Sequence, residues 1–167
     1  MVREKKAKTT SLIIALVILI GSLIYVPDWT VIGVAKGCPF VARLGYSLFH
    51  VSIVHALVNA WCLLSIVFIY DISVWRLLTA YIVAVLVPDF LLSDVPTVGL
   101  SCVCYTLLGS LIFDVKRKLN FQLCMALYIA VGFLFSSINV VIHIYGYLAG
   151  LIVGLLNAPL SCFLLRK

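Results

Sequence analysis

Polar side chains that are able to catalyse reactions occur in three short segments of strongly apolar sequence. The first segment contains His50, His55 and Asn59, the second contains Ser101, and the third contains His143. Polar groups are costly inside a membrane, so their concentration in an apolar chain indicates a functional site. A serine becomes a nucleophile when a neighbouring histidine accepts its proton, and histidine and asparagine can donate hydrogen bonds to a developing negative charge.

The serine follows a loop that is broken by Pro96 and Gly99, which predicts that Ser101 lies near the outer end of a membrane span. Membrane serines usually bond the carbonyl of their own preceding turn. The unpaired N–H groups at a helix start, however, can bind an oxyanion. His143 is predicted at a similar depth in the last span, and Tyr105 lies one turn after the serine on the same face.

The segment around His143 has a helical spacing of glycines. His143, Gly146, Gly150 and Gly154 fall on one helix face, and glycines four residues apart allow another helix to approach closely. Such stripes are common in membrane helices, but a histidine in register with one is more specific. We therefore expect an approaching helix to meet the histidine at the end of this groove.

On the second span, His55 and Asn59 share one face, and His50 lies one turn or more further out. By itself the pair of His55 and Asn59 is equally consistent with interhelical hydrogen bonding or with a functional site, and the His/His/Asn set could also suggest a metal. A metal would need a carboxylate or a third histidine at the same depth, but the acidic residues fall near the ends of the apolar runs and none lies mid-span. We therefore expect neither a metal nor a cofactor.

The composition is that of an integral membrane protein. Of 167 residues, 65% are hydrophobic and 11% are charged, whereas soluble domains are about half apolar and about a quarter charged. The net charge of +6 then indicates membrane topology and not nucleic-acid binding. Cys38 is predicted to be a free thiol in an outer loop. The other cysteines are predicted to pack as small hydrophobic residues: Cys62, Cys102, Cys104, Cys124 and Cys162.

Apolar runs of about bilayer length predict six transmembrane helices in a single domain covering residues 1–167. Their expected bounds are 9–26, 42–69, 74–92, 98–114, 120–137 and 138–165. If both termini are cytoplasmic, ten of the twelve Lys and Arg residues lie on the inner side, which favours that topology. No small-residue cleavage site follows the first run, so we interpret it as a retained helix and not as a signal peptide.

The three segments, in this order and on these spans, resemble the rhomboid family of intramembrane serine proteases. The family motifs are H-x4-H-x3-N on the second helix, a G-x-S segment followed by an aromatic residue on the fourth, and H-x-x-G-x-x-x-G on the sixth. The matching residues here are His50, His55, Asn59, Gly99, Ser101, Tyr105, His143, Gly146 and Gly150. The resemblance covers roughly residues 10–165 and implies an all-α, six-transmembrane-helix bundle.

The resemblance also implies a role for each residue. Ser101 would be the nucleophile and His143 the general base, with Tyr105 packed against the imidazole. His55, Asn59 and the Ser101 backbone N–H would form the oxyanion hole. The activity implied is intramembrane endopeptidase cleavage of single-span membrane proteins.

Two features depart from the family pattern. Cys102 follows the nucleophile where the family usually has glycine. The first outer loop is short and lacks the family's Trp-Arg pair, since Trp29 and Arg43 are far apart. Asp71 corresponds to an acid that stabilises the inner helix ends in some bacterial members.

The expected partners are a transmembrane protein substrate and the lipid bilayer, with no nucleic acid, and the expected location is a bacterial inner membrane. The main alternative is a catalytically inactive rhomboid-like protein that binds membrane clients, which Cys102 would favour. A small transporter or channel is a further alternative, but no acid or lysine lies mid-span to couple protons or ions. The oligomeric state, the substrate and its cleavage sequence stay open.

Overall fold

The computed structural model describes residues 2–135 and 138–157, and in these ranges the chain is helical, with no strands. The helices are α1 Val2–Gly21, α2 Phe40–Gly45, α3 Ile53–Ile69, α4 Val74–Val85, α5 Ser101–Ser110, α6 Lys118–Gly132 and α7 Val140–Asn157. Short 3-10 turns follow α2, precede α5 and follow α5, at Tyr46–Leu48, Asp89–Leu91 and Leu111–Phe113. The predicted all-α class is confirmed for this part of the chain.

The predicted second span, 42–69, is not one continuous helix. The segment Phe40–Leu48 and the helix Ile53–Ile69 meet at an angle of 84°. The break has a local cause, because Ser52 is extended (φ −157°, ψ 157°) and its side chain accepts a hydrogen bond from the His55 N–H. This is an N-cap, which starts a new helix at Ile53.

Helices α4, α5 and α6 are shorter than the predicted spans, and α1 begins and ends earlier in the chain than the span predicted there. The first ends at Gly21 and α4 ends at Val85, three residues before Pro88, which cannot continue a helix because it lacks an N–H. Residues 158–165 of the predicted last span lie outside the described residues. Within 2–135 and 138–157, no one helix is both long and apolar enough to cross a bilayer alone, whereas the bent pair meets that test together.

Helix α5 is the most buried element. Eight of its ten residues are buried, and it packs against α3, α4 and α7. The closest packing is with α7, where glycines face backbone. A Cβ atom at Gly146 would lie 2.8 Å from the Cys102 carbonyl oxygen, and one at Gly150 would overlap the Thr106 carbonyl oxygen. The close helix approach predicted from the glycine stripe is therefore present, and α5 is the partner.

Two loops meet at the end of the bundle where α5 begins, which we call the Ser101 end. The N–H and carbonyl of Val34 exchange hydrogen bonds of 2.9 Å with those of Thr97. The Gly99 N–H donates to the Tyr46 carbonyl at 2.9 Å, and Gly99 has φ +127°, a conformation that favours glycine. The segment before Ser101 is thus fixed by backbone contacts that are distant in sequence.

Ion pairs lie at both ends of the bundle. At the end opposite Ser101, Arg76 on α4 contacts Asp114 at 2.6 Å and donates to the Ser110 carbonyl. There too Lys8 of α1 pairs with Asp71 at 2.8 Å, so Asp71 ties α1 to the α3–α4 turn. These acids lie at helix ends, as the sequence predicted.

Candidate active site

The side chains of Ser101 and His143 are in hydrogen-bond contact. The distance from Ser101 Oγ to His143 Nε2 is 2.9 Å, although the residues are 42 positions apart. Ser101 is the first residue of α5 and His143 is in the first turn of α7. The glycine-lined α5–α7 interface brings the two helix starts to the same depth. A hydroxyl and an imidazole in this geometry can form a nucleophile and base.

The imidazole is held in place by aromatic stacking. The Tyr105 ring lies 4.3 Å from the His143 ring with an interplanar angle of 18°. Tyr128 of α6 also stacks on Tyr105, at 5.8 Å and 21°. Tyr105 of α5 therefore joins rings of α6 and α7, and its contact with the imidazole restricts rotation of the imidazole about its side-chain bonds.

Hydrogen-bond donors from α3 lie beside the serine. The Asn59 amide donates to the His55 carbonyl one turn earlier, at 3.1 Å, which orients the amide along the helix. Gly99 gives these side chains room, since a Cβ there would lie 2.8 Å from His55 Cε1 and 3.7 Å from Asn59 Nδ2. The N–H groups of the first turn of α5 add further donors, because a helix start has no intrahelical acceptors for them.

His50 supports the site from outside the cavity. Its Nε2 accepts a hydrogen bond of 3.2 Å from the Leu100 N–H, next to Ser101. Its ring also packs edge-on against His55 at 4.9 Å. His50 therefore contacts both the chain before the serine and the neighbouring imidazole.

These side chains surround a small cavity of about 110 Å³. Ser101, His143, His55 and Asn59 line it on one side, and Tyr128 closes it from α6. Liquid water occupies about 30 Å³ per molecule, so the cavity has room for a few waters. His55 also lines a larger, adjacent cavity of about 770 Å³ between the start of α3, residues 93–98 and the α6–α7 connection.

A family model described as the Rhomboid domain matches residues 40–162. The chain belongs to the rhomboid family. This makes it an integral membrane protein of a family whose members are generally serine proteases. The match includes α2 to α7 and every residue of the cavity described above. Neither a curated protein nor a solved structure matches the chain.

Cys102 occupies the position after Ser101 at which rhomboids usually have glycine, and the thiol points away from the cavity. Cys102 is fully buried. Its Sγ lies within hydrogen-bond reach of the Tyr46 hydroxyl and would lie 3.2 Å from a Cβ at Gly146. It does not line the cavity around Ser101. Because Gly146 on α7 has no side chain, there is space at this point of the interface, and Cys102 Sγ fills it.

Asn139 is a positioning residue that the sequence analysis missed. Its Oδ1 accepts a hydrogen bond from the Ile142 N–H, which caps the start of α7 directly before His143. Its Nδ2 donates to the Thr97 hydroxyl at 2.9 Å, in the loop before Ser101. The signal was available, because asparagine just before an apolar run is a typical N-cap. The contact with Thr97 is not readable from sequence.

Arg43 has a partner other than the tryptophan of the usual rhomboid pair. It contacts Asp89 at 2.9 Å and donates to the Val87 carbonyl, so it ties α2 to the segment after α4.

Among the described residues, no three His, Cys, Asp or Glu side chains come together as a metal site. Among the same residues, the described cysteines Cys38, Cys62, Cys102, Cys104 and Cys124 have free thiols, and Cys162 lies outside them.

Proposed function

We propose that this rhomboid is an active intramembrane serine endopeptidase. The observation that carries the proposal is the 2.9 Å contact of Ser101 Oγ with His143 Nε2 on the wall of a cavity. In the proposed reaction His143 accepts the Ser101 proton while the oxygen attacks the substrate carbonyl, and a tetrahedral intermediate forms. His143 then gives this proton to the leaving amine, the C–N bond breaks, and an acyl-enzyme remains. Water, which loses a proton to His143, hydrolyses the ester and releases Ser101.

The oxyanion of the tetrahedral intermediate would be stabilised by His55, Asn59 and the Ser101 N–H. All three lie on the Ser101 side of the cavity, and the two side chains line it. Donors that are already fixed stabilise developing charge without reorganisation, and one such donor contributes about 3 kcal/mol in other serine hydrolases. Tyr105, Gly99 and His50 would act by positioning, through the stacking, the space and the hydrogen bond described above.

The substrate would be the outer end of a single-span membrane protein. A helical peptide bond is shielded, so the substrate helix must unwind near the bond, and Gly, Pro or polar residues there are expected. The larger cavity between α3 and the α6–α7 connection reaches His55 from the Ser101 end. An unwound segment that enters there would meet Ser101 with its backbone groups bonded to polar atoms of the site.

The proposed topology has six spans with both termini on the inner side of a bacterial inner membrane. Lys36 and Lys116 are both exposed and fall on opposite sides in this topology. A membrane-impermeant maleimide added to intact cells should label Lys36→Cys and not Lys116→Cys, both in a Cys38→Ser background. Labelling of Lys116→Cys alone would reverse the orientation.

The function itself is tested by cleavage in proteoliposomes. The parent chain is reconstituted with a test membrane protein that has one span and a Gly-rich outer end, beside Ser101→Ala and Asn59→Ala. Cleavage by the parent, none by Ser101→Ala and about 10²-fold less by Asn59→Ala are expected. A folded parent that binds the test protein without cutting it would favour the client-binding alternative. Cys102→Gly would then show whether that one residue is responsible.

A further inference from the structure

A narrow apolar groove lies between α1 and α4, on the side of α5 away from the cavity at Ser101. Its volume is about 250 Å³. Ile14, Leu77 and Tyr81 line its length, and it ends near Leu48 and Leu100. Its walls carry almost no polar surface.

The hydroxyls of Thr10 and Tyr81 in the groove wall donate to backbone carbonyls, and the Ser47 hydroxyl is buried without a hydrogen-bond partner among the described residues. Such a groove in a membrane protein accepts a hydrocarbon chain, since it offers a polar ligand little compensation for desolvation.

The groove continues into a second cavity of about 460 Å³ at the start of α1. Thr10 and Val74 line both cavities, so they meet at that point. The second cavity is lined by Lys5 and Lys6, and it lies at the end of the bundle opposite Ser101. One continuous path therefore has a cationic entrance and an apolar interior.

The side chains that the structure describes do not neutralise the charge of the entrance. Lys5 and Lys6 are exposed, and neither has an acidic partner among the side chains that the structure describes. The nearby acid Asp71 is paired with Lys8. Val74, the first residue of α4, brings the positive end of a helix dipole to the same place. An anionic group is therefore favoured at the entrance.

The length of the groove along α4 fits within one leaflet of a bilayer. From Val74 to Tyr81 the groove follows two turns of α4, a rise of about 10 Å. Half of the hydrocarbon core of a bilayer is about 15 Å thick. A phosphate held at Lys5 and Lys6 would lie at the membrane surface, and an acyl chain in the groove would lie parallel to its neighbours in the leaflet.

We propose that this groove binds one anionic phospholipid. The lysine side chains hold the phosphate, and one acyl chain lies between α1 and α4. The end of the chain then lies against Leu100, the residue before Ser101, and Val103. Because α1 contacts α4 across an unfilled groove, the bound chain joins the two helices. The lipid therefore raises the unfolding temperature of the chain.

The test is lipid retention by the full chain in non-ionic detergent, measured by native mass spectrometry with equal amounts of phosphatidylglycerol and phosphatidylcholine. We expect one phosphatidylglycerol per chain, preferred at least fivefold over phosphatidylcholine. Lys5→Gln/Lys6→Gln should reduce the preference to about one. Lys116→Gln/Arg117→Gln removes the same charge from an exposed loop at the same end and should retain it.

A second pair of variants tests the acyl chain. Leu78 lines the groove and Ile82, one turn further along α4, does not, although both are about half exposed. Leu78→Trp should lose the bound lipid, and Ile82→Trp should keep it. The lysine variants change exposed side chains and should fold as the parent does. Cooperative thermal unfolding of each variant shows whether it is folded.

Three results would overturn the proposal. The parent could show no preference between the two lipids. The two double charge variants could lose phosphatidylglycerol equally, which would mean general surface attraction. Inorganic phosphate at millimolar concentration could displace the lipid, which would mean a site for free phosphate. None of these readouts depends on proteolysis, so the proposal stands or falls separately from the proposed function.

Discussion

The α5–α7 interface and the packing of α6 are built in opposite ways. Eight of ten residues of α5 are buried, whereas only two of fifteen in α6 are, namely Met125 and Gly132. Helices α5 and α7 touch through backbone and glycine, while α6 contacts its neighbours through long side chains such as Tyr128. Ser101 and His143 are therefore held by the closely packed α5–α7 interface. One wall of their cavity is formed by α6, which is packed less closely.

The largest expected effect comes from adding a methyl group to the α5–α7 interface. Gly150→Ala puts a Cβ against the Thr106 backbone, which cannot move aside as a side chain can. We expect a loss of about 3 kcal/mol in the free energy of unfolding and separation of Ser101 from His143. Thermal unfolding in detergent measures the loss of stability, and loss of substrate cleavage reports the separation of Ser101 from His143.

Gly45→Ala is the matched control for this change. Its Cβ would meet only a Phe49 ring atom at 3.8 Å, an ordinary contact, so its stability should stay within about 0.5 kcal/mol of the parent. Equal stability of Gly150→Ala and Gly45→Ala would show that the α5–α7 interface can accommodate a methyl group. The α5–α7 interface would then not be packed more closely than α6.

The next effect concerns the chain before the serine. Gly99→Ala combines an unfavourable φ of +127° with a Cβ only 2.8 Å from His55. Gly37→Ala shares the positive φ, at +72°, but has no atom within 4 Å of the new Cβ. Both should lose about 1–2 kcal/mol of stability from backbone strain. Only Gly99→Ala should also lose activity, by about 10²-fold, because His55 must move. Similar activity of the two variants would argue against a role for His55 at the site.

Asn139→Ala tests a smaller contribution to the same rigid region. Removal of this N-cap should cost about 1 kcal/mol of stability. Thr97→Val removes the hydroxyl that accepts from Asn139 Nδ2 and leaves the acceptor for the Ile142 N–H in place. We expect Thr97→Val to keep most of the stability and to lose activity, because the contact positions the loop before Ser101. Unchanged activity of Thr97→Val would assign Asn139 to helix capping alone.

The smallest effect is expected on the α6 side. The Tyr147 hydroxyl donates to Gln122 at 2.6 Å and links α7 to α6. Tyr147→Phe should cost about 1 kcal/mol or less, with unchanged reactivity of Ser101, because the bond lies outside the α5–α7 interface. A double-mutant cycle with Gln122→Leu measures the pair. Loss of Ser101 reactivity in Tyr147→Phe would mean that α6 also positions the serine and histidine.

The helix faces were predictable from sequence because helical spacing is local. The positions of His143, Gly146 and Gly150 fix one face, and the loop before Ser101 fixes a helix start. Both features are present in the fold. The role of each residue in catalysis stays a prediction, which the labelling experiment below addresses.

The break in the predicted second span was missed, because hydropathy is similar on both sides of Ser52 and gives no signal of a bend. The Ser52 cap was readable, but it was outweighed by the continuous apolar run. Contacts such as Val34 with Thr97 and Arg43 with Asp89 join positions far apart in the chain. No periodicity reports them, so the way in which the loops hold Gly99 could not be predicted.

The direction of the Cys102 side chain was equally hidden. Cys102 lies about 100° around the helix from Ser101, so the two side chains cannot share one helix face. Helical geometry alone does not say which residues the Cys102 side chain contacts. Only the assembled α5–α7 interface shows that the thiol occupies space left by Gly146. We therefore expect Cys102→Gly to leave the activity within about threefold of the parent, at a cost in stability from the cavity created.

The central claim, that Ser101 is a nucleophile activated by His143, is tested most directly with a fluorophosphonate probe. The purified parent, Ser101→Ala and His143→Ala are treated in detergent, and the labelled residue is identified by peptide mass spectrometry. The account predicts labelling of the parent at Ser101 and none in either variant. A folded parent that stays unlabelled, with Cys102→Gly unlabelled as well, would contradict the assignment of protease activity to this chain.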